Sequence, residues 1–303
     1  MTTSTKWFIG IFAVLAVLAI GFTLVIVALV SASGERNETV TEGSGDRIAV
    51  VDLRGEITSS DVVVRQLKKY RADRSVKAIL LHIDSPGGGV VASQEMYEEV
   101  RKTRDAGKPV IVSMGALAAS GGYYVACGAT RLVANRGTLT GSIGVISEFL
   151  QVKDALDKLG IGINTIKAGK LKDAGSPVRK MTDDDRTYFQ RLMDDVHRQF
   201  IDVVTRERKL EPERVRELAD GRVFTGEEAV RLGLVDTLGT FEDAVRIAAG
   251  IAGISGEPAI VRERHVRALW ESVFGDAGDA IRDLKQELID RPVMSYRFAR
   301  PAE

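Results

Sequence analysis

The sequence predicts an α/β domain whose sheet is largely parallel and buried. Short apolar runs rich in β-branched residues recur along the chain, and helical patterns lie between several of them. The composition, 45% hydrophobic and 28% charged, is typical of a folded protein. Strands that alternate with helices favour a parallel sheet with helices on its faces. The predicted strands cover residues 48–53, 78–83, 110–114, 132–134, 143–146 and 163–166.

The predicted helices lie between and after these strands. Apolar residues at helical spacing predict one long amphipathic helix over 183–208, whose apolar stripe is expected to face the core. Shorter helical patterns cover residues 62–70, 93–103, 152–159, the segment after Pro212, a turn and short helix within 221–229, and 241–249.

The first element of the chain is an apolar run over residues 7–30 that contains no charged residue. A helix of this length reaches about 36 Å, which is enough to cross the hydrocarbon layer of a membrane. The apolar core of a secretory signal is shorter, about 7–15 residues, although cleavage after the small residues 31–33 stays open. Lys6 precedes the run and acidic residues follow it. The length of the run therefore predicts an uncleaved single-span anchor. The positive-inside rule predicts its orientation, with residues 1–6 in the cytoplasm and the remaining chain outside the cell membrane.

Composition divides the rest of the chain into three parts. Residues 31–46 are rich in Ser, Gly, Thr and Glu and predict a flexible linker. The folded domain is expected over 47–254, and a C-terminal extension follows over 255–303.

Charge, cysteine and histidine content exclude several functions. The 42 basic residues balance the 42 acidic ones, so no overall field favours nucleic acid. The single cysteine, Cys127, rules out an internal disulfide and a multi-cysteine metal site. The three histidines, His82, His197 and His265, are far apart in sequence and in no metal-ligand spacing. We therefore expect no nucleic-acid partner and no metal.

A glycine-rich run, DSPGGG at residues 84–89, lies between a predicted strand and a predicted helix. Glycines at such a place let backbone N–H groups point into a cleft beside a helix N-terminus, where an oxyanion is favoured. Taken alone, the run is better explained as an ordinary strand-to-helix turn.

Ser120 lies among small residues in the run AASGG at 118–122. The N–H of Gly121 would lie beside the Ser120 hydroxyl, which places one oxyanion donor next to one nucleophile. Taken alone, a serine that caps the N-terminus of a helix is the better explanation.

A nucleophilic serine needs a base, and no histidine has an obvious route to Ser120. Lysine is the other option, because an amine buried among apolar groups loses its proton more easily. The glycine-flanked segment 167–177 offers three lysines, although by itself it is typical of a solvated surface. Cys127 lies seven residues beyond Ser120 with no histidine placed to activate it, and we expect it in the core.

Together these segments resemble the signal peptide peptidase A family, membrane-anchored serine peptidases that share a fold with Clp protease and the crotonases. The matching motifs occur in order within residues 48–250: 84–89, 119–124, 141–145, 169–177, and 221–226 with 233–236. The resemblance implies a Clp/crotonase-like domain with repeated ββα units, in the short form of the family with one catalytic domain.

The resemblance also implies roles for individual residues. They are the nucleophile Ser120, the general base Lys172 with Lys170 as the fallback, the amine-orienting hydroxyl Ser142, and oxyanion-hole N–H groups from Gly121 and from Gly87 or Gly88. The implied reaction is acyl transfer: Ser120 attacks a peptide carbonyl, Lys172 takes and returns the proton, and water releases the acyl-enzyme without a cofactor.

Substrates and partners follow from the same resemblance: remnant signal peptides, the membrane, and further copies of the chain in a ring. Three alternatives stay open. They are a related membrane-bound Ser-Lys protease that acts on other membrane-associated proteins, a crotonase-type acyl-CoA enzyme with the same oxyanion loop, and a non-catalytic scaffold with a decayed site. The absence of a catalytic carboxylate pair disfavours the second, and the retention of Ser120, Ser142 and Lys172 disfavours the third.

Overall fold

The computed structural model describes residues 7, 20, 21, 38–40, 46–263 and 295–297. The chain divides into two compact units, residues 1–40 with 262–290 and residues 41–261 with 291–303. In the first unit, strand β1 (Glu38–Val40) lies within the segment predicted as a linker. None of the helices among the described residues is long and apolar enough to cross a membrane, and the predicted span over 7–30 lies outside them except at residues 7, 20 and 21.

The second unit combines a mostly parallel sheet with helices. The strands are β2 (Arg47–Arg54), β3 (Val76–Ser85), β4 (Gly87–Gly89), β5 (Val110–Ala119), β6 (Arg131–Ala134), β7 (Leu139–Gly141), β8 (Val223–Thr225), β9 (Thr237–Leu238), β10 (Ala259–Glu263) and β11 (Ser295–Arg297). The helices are α1 (Asp61–Ala72), α2 (Val90–Asp105), α3 (Gly121–Ala126), α4 (Lys153–Lys158), α5 (Asp183–Arg208), α6 (Pro212–Leu218), α7 (Gly226–Arg231) and α8 (Phe241–Ala252).

The main sheet has the strand order β10-β2-β3-β5-β6-β9. The β2–β3 register runs in parallel from Ile48↔Ala78 to Arg54↔Asp84, and β3–β5, β5–β6 and β6–β9 are also parallel. The sheet therefore confirms the predicted α/β class with parallel central strands. It also continues past the predicted domain end at 254, because β10 adds to its edge beside β2.

Both faces of the sheet are covered, as parallel sheets require. On one face, alternate strand residues pack against α8: Ile48, Val50, Ala78, Leu80, Ile111 and Val133. On the other face, the intervening residues join the larger core with α1, α2, α3 and α5: Ala49, Val51, Ile79, Leu81, Val110 and Val112. Full burial of one such aliphatic side chain is worth about 1.5–3 kcal/mol, so the strands form a rigid support for the residues at their ends.

Strand β5 changes its neighbour halfway along its length. Its residues from Ile111 to Met114 pair with β6, whereas those from Leu117 to Ala119 pair with β7. β7 also pairs antiparallel with β8. Since β5 and β7 end at the same level, the residues that follow them leave the sheet at the same place.

Two predicted strands are wrong. Residues 143–146 form no regular strand. The strand β7 lies just before them and ends at Gly141, because Gly141 and Ser142 have positive φ angles, 80° and 50°, that extended backbone does not have. Residues 163–166 are irregular and lie at the surface, with Ile163 51% and Ile166 100% exposed. Their apolar, β-branched pattern predicts a buried strand, but no neighbouring strand of the described part pairs with it.

Candidate active site

Ser120 lies in a strained turn between β5 and α3. Its φ of 54° and ψ of −115° fall outside the regions that non-glycine residues favour, at a cost of about 1–3 kcal/mol. The Ser120 N–H donates to the Gly141 carbonyl at 2.8 Å, and the Ser120 carbonyl accepts from the Tyr124 N–H at 2.8 Å, which begins the helix. Ser120 is fully buried, and its Oγ has no hydrogen-bond partner among the described residues. Buried hydroxyls normally have partners, and a strained strand-to-helix turn is typical of a catalytic serine.

The glycine strand β4 is fixed on one side by Ile57. The Ile57 N–H donates to the Gly87 carbonyl at 2.8 Å, and the Gly89 N–H donates to the Ile57 carbonyl at 2.7 Å. Because successive residues of a strand direct their polar groups to opposite sides, those of Gly88 face away from Ile57. A side chain at residue 88 is excluded, since its Cβ would lie 2.2 Å from the Ile57 carbonyl oxygen.

Gly121 packs directly against this strand. A Cβ built on Gly121 would lie 2.5 Å from Ser93 Oγ and 3.2 Å from both Gly87 Cα and Gly88 N. The backbone of residue 121 is therefore beside that of residue 88, next to Ser120. The N–H of Gly87 donates to a side chain, Ser85 Oγ at 3.1 Å, whereas the polar groups of Gly88 face the edge of β4 that lies away from Ile57. Gly88 is therefore the better candidate of the two loop donors.

The edge of β4 that faces away from Ile57 carries the C-terminal strand β11. The two strands are antiparallel, with the register Ser295↔Gly89, Tyr296↔Gly88 and Arg297↔Gly87. Main-chain pairing at a sheet edge is a common way to bind an extended peptide, because it is independent of the peptide's side chains. An extended segment of the protein itself thus lies along the glycine strand, next to the Ser120 turn.

Ser142 lies beside Ser120 at the end of the neighbouring strand. The parallel β5–β7 register ends at Ala119↔Gly141, so each serine is one residue beyond a paired position. Ser142 has a φ of 50°, and its N–H donates to the Arg222 carbonyl at 2.8 Å. It also lines a cavity of about 450 Å³ between the loop after β7, α5 and residues 219–221. The structure brings the predicted nucleophile and the predicted orienting hydroxyl to one place.

The predicted base candidates lie between α4 and α5. Lys167 forms an ion pair with Asp173, and Lys170 forms one with Asp184 that raises the pKa of Lys170. Lys172 is exposed and is the one lysine of the three that has no ion pair within residues 46–263. It makes no hydrogen bond to the Ser120 hydroxyl of the same protomer.

The remaining nucleophile and base candidates do not reach Ser120 Oγ, whose hydroxyl has no partner in the described part. Burial raises the pKa of the Cys127 thiol to about 12. His82 Nδ1 lies 3.1 Å from the Ser113 carbonyl oxygen, and His197 lines the cavity beside Ser142 with its Nε2 buried and without a described partner. His265 lies outside the described residues.

Two residues support the site through hydrogen bonds that the sequence does not predict, Asp84 and Ser85. Asp84 Oδ1 accepts from the Leu117 N–H at 3.1 Å and so ties β3 to the end of β5. Ser85 Oγ donates to the Gly55 carbonyl at 2.6 Å and accepts from Gly87. Both belong to the DSPGGG run, but partners about thirty residues away in sequence are invisible without the fold.

Comparison with known proteins gives consistent matches. The sequence model of peptidase family S49 matches residues 102–255, and that of Clp protease matches residues 33–151. A putative protease of Synechocystis is 42% identical over 69% of this chain and 75% of that protein. A putative signal peptide peptidase SppA of Enterococcus faecium is 41% identical over 59% of this chain and 52% of that protein. Protease 4 of Salmonella typhi is 38% identical over 83% of this chain, which spans 43% of that longer protein.

Proposed function

This chain belongs to peptidase family S49 and is a serine peptidase, and from that premise we propose that Ser120 and Lys172 form its catalytic dyad. The observation that carries the proposal is the buried Ser120 hydroxyl, held at a strained φ of 54° without a hydrogen-bond partner in the described part of the chain. A hydroxyl in this state is available to a base and to a substrate carbonyl.

The proposed reaction uses the backbone that surrounds Ser120. Ser120 Oγ attacks the peptide carbonyl and transfers its proton to the neutral Lys172 amine, while the N–H groups of Gly88 and Gly121 donate to the oxyanion. Lys172 returns the proton to the departing amine. Water, deprotonated by the same lysine, then attacks the acyl-enzyme, and Lys172 gives that proton to the departing Ser120 Oγ, which restores the neutral amine and the free hydroxyl. Ser142 accepts a hydrogen bond from the amine and holds it toward Ser120.

The ion pairs of the loop support Lys172 over Lys170. Asp184 stabilises the charged form of Lys170, which cannot accept a proton. Lys172 has no ion pair with a carboxylate in the segment between α4 and α5, in contrast to Lys167 and Lys170.

We infer that the dyad is shared between protomers of a homo-oligomeric ring. Lys172 is exposed and does not contact Ser120 of its own protomer. The chain around it exposes apolar side chains, as interaction surfaces do: Leu150, Leu159, Ile161, Ile163 and Ile166. The cavity of about 450 Å³ beside Ser142 offers room for a lysine side chain from a neighbour.

The substrates we infer are remnant signal peptides, bound extended along β4. The β4–β11 pairing supports this mode of binding, and the Enterococcus faecium relative is named a putative signal peptide peptidase. An anchor over residues 7–30 would hold the catalytic domain at the outer face of the cell membrane, close to such peptides. Other membrane-associated proteins are the alternative substrates of the same chemistry.

The test is mass spectrometry of the purified protein after treatment with an acylating serine-reactive inhibitor. We expect one adduct, on Ser120, that is absent from Ser120→Ala and from Lys172→Ala. Lys170→Ala is the matched control and should be labelled at the wild-type rate, because Lys170 is held by Asp184. Labelling of another serine would contradict the assignment of Ser120 as the nucleophile. Full labelling of Lys172→Ala would contradict the assignment of Lys172 as the base.

A further inference from the structure

The turn that carries Lys172 is joined to α5 by a network of two carboxylates and one guanidinium. Arg179 donates to Asp173 through Nε at 2.8 Å and Nη2 at 3.0 Å, and to Asp185 through Nη2 at 3.0 Å and Nη1. The planar guanidinium suits this arrangement, since it can bond two carboxylates at once in fixed geometry. Asp173 follows Lys172 directly in sequence, so the network begins one residue from the proposed base.

The other end of the network is rigid. The Asp185 side chain is only 2% exposed and takes part in the capping box of α5, where it accepts from the Thr182 N–H at 3.0 Å. The helix is held in turn by buried residues farther along, including Phe200 and Val204. Arg179 therefore connects an exposed turn to a helix that is anchored in the core.

The network also engages the carboxylate that is adjacent to Lys172 in sequence, that of Asp173. Arg179 and Lys167 bond to Asp173 and hold its pKa down at about 2, so this carboxylate is ionised and fully engaged. Two further ion pairs lie around the turn, Lys170 with Asp184 and Lys180 with Asp154.

We propose that Arg179 is a positioning residue for Lys172: it fixes the turn that presents the amine and keeps the Asp173 carboxylate from pairing with that amine. This inference rests on the proposed role of Lys172. Without Arg179 the turn is held less firmly, and of the two basic partners of Asp173 only Lys167 remains, at Oδ1. Asp173 Oδ2, which Arg179 Nε engages, can then bond to the adjacent lysine. An ion pair with Asp173 would stabilise the charged amine, which is inactive as a base.

The experiment compares Arg179→Gln, Arg179→Lys and Asp173→Asn in the full-length protein, with Arg246→Gln as the matched control. Arg246 is an exposed arginine that pairs with Asp243 on α8, far in sequence from the turn. Peptide hydrolysis is measured against pH, and thermal unfolding is recorded for each variant.

For Arg179→Gln we expect kcat to fall by about 10–100-fold with KM nearly unchanged, because the base is misplaced while the peptide site is intact. The rise of kcat with pH should move to higher pH by about half a unit or more. Asp173→Asn should lower kcat without this alkaline shift, since it leaves no carboxylate to pair with Lys172. Arg179→Lys should recover part of kcat, and Arg246→Gln should match the wild type.

Two outcomes separate this inference from the proposed function. If Lys172→Ala is inactive but Arg179→Gln keeps the wild-type kcat and pH profile, the positioning role is wrong and the dyad stands. If Lys172→Ala is fully active, the dyad itself is wrong. A loss in Arg179→Gln that only follows its thermal stability, with no change of pH profile and no recovery in Arg179→Lys, would also overturn the positioning role.

Discussion

Ser120 and Ser142 occupy equivalent positions at the ends of two adjacent parallel strands, each one residue beyond the last paired position, and both have a left-handed φ, 54° and 50°. Such backbone angles are uncommon for serine, and two of them side by side indicate that the strand ends are shaped for function. In the proposed reaction one of the two hydroxyls, that of Ser120, attacks the peptide, and the other, that of Ser142, orients the base.

Replacing Ser120 by Ala should abolish hydrolysis without lowering stability. The hydroxyl is buried without a partner in the described part, so its removal should raise the free energy of unfolding by about 1 kcal/mol. Ser120→Gly is the matched variant and should be at least as stable as Ser120→Ala, because glycine adopts a positive φ without strain. Chemical denaturation and a peptide assay check both points. A large loss of stability in Ser120→Ala would show that the hydroxyl is stabilised in the folded protein, and a Ser120→Gly variant less stable than Ser120→Ala would show that the turn is not strained.

Activity should rise with pH into the alkaline range. A lysine acts as a base only when its amine is neutral, and lysine amines lose their proton at the alkaline end of the range. The measurement is the rate of Ser120 acylation between about pH 5 and 10. Control by one group near about pH 6.5, the ordinary histidine value, would point to a histidine instead, with His197 beside Ser142 as the first candidate.

Local sequence patterns predict some parts of this fold well. The long helix α5 has the predicted bounds because its apolar residues recur at helical spacing along the whole segment. The structure adds the Thr182–Asp185 capping box at its N-terminus. The prediction of a strand over 163–166 is wrong because a strand needs a neighbouring strand to pair with. An apolar, β-branched pattern does not reveal whether such a neighbour exists.

The candidate site depends on long-range contacts more than the individual helices do. The serines were identified through their motifs, but their adjacency arises from the β5–β7 register. The pairing of β11 with β4 joins segments about two hundred residues apart, and no local pattern encodes it. Likewise, the ion pairs that distinguish Lys172 from Lys170 require the position of α5.

Cys127 should be chemically inert in the folded protein. Burial raises its thiol pKa to about 12, so the thiolate is scarce at neutral pH. The folded-state pKa lies above the unfolded value of about 8.5, so the related stability is complete below about pH 8.5 and is lost as the pH rises toward 12. Iodoacetamide at about pH 8 should modify the unfolded chain only, and Cys127→Ala should retain activity. Rapid alkylation of the native protein, with loss of hydrolysis, would make Cys127 a candidate nucleophile again.

Deleting residues 291–303 should lower KM for peptide substrates. In the structure β11 pairs with the β4 edge that an extended substrate would use, so tail and substrate compete for the same main-chain groups. Steady-state kinetics of the truncated and full-length proteins measure the effect. A synthetic peptide with the sequence of residues 291–300 provides the second measurement and should inhibit the truncated protein competitively. An unchanged KM together with no inhibition would mean that substrates bind elsewhere.

Mixing two inactive variants should restore activity if the dyad is shared between protomers. Ser120→Ala supplies an intact Lys172, and Lys172→Ala supplies an intact Ser120, so some interfaces of a mixed ring contain both groups. In a closed ring with random equal mixing, roughly a quarter of the sites would be rebuilt, since each heterologous interface needs the right variant on each side. If both groups act within one protomer, every site in the mixture lacks either the Ser120 hydroxyl or the Lys172 amine. Hydrolysis is measured on co-refolded proteins, with native mass spectrometry to establish that mixed rings have formed. Mixed rings without recovered activity would contradict the shared site and leave the dyad untouched, because each single variant would still be inactive for its own reason.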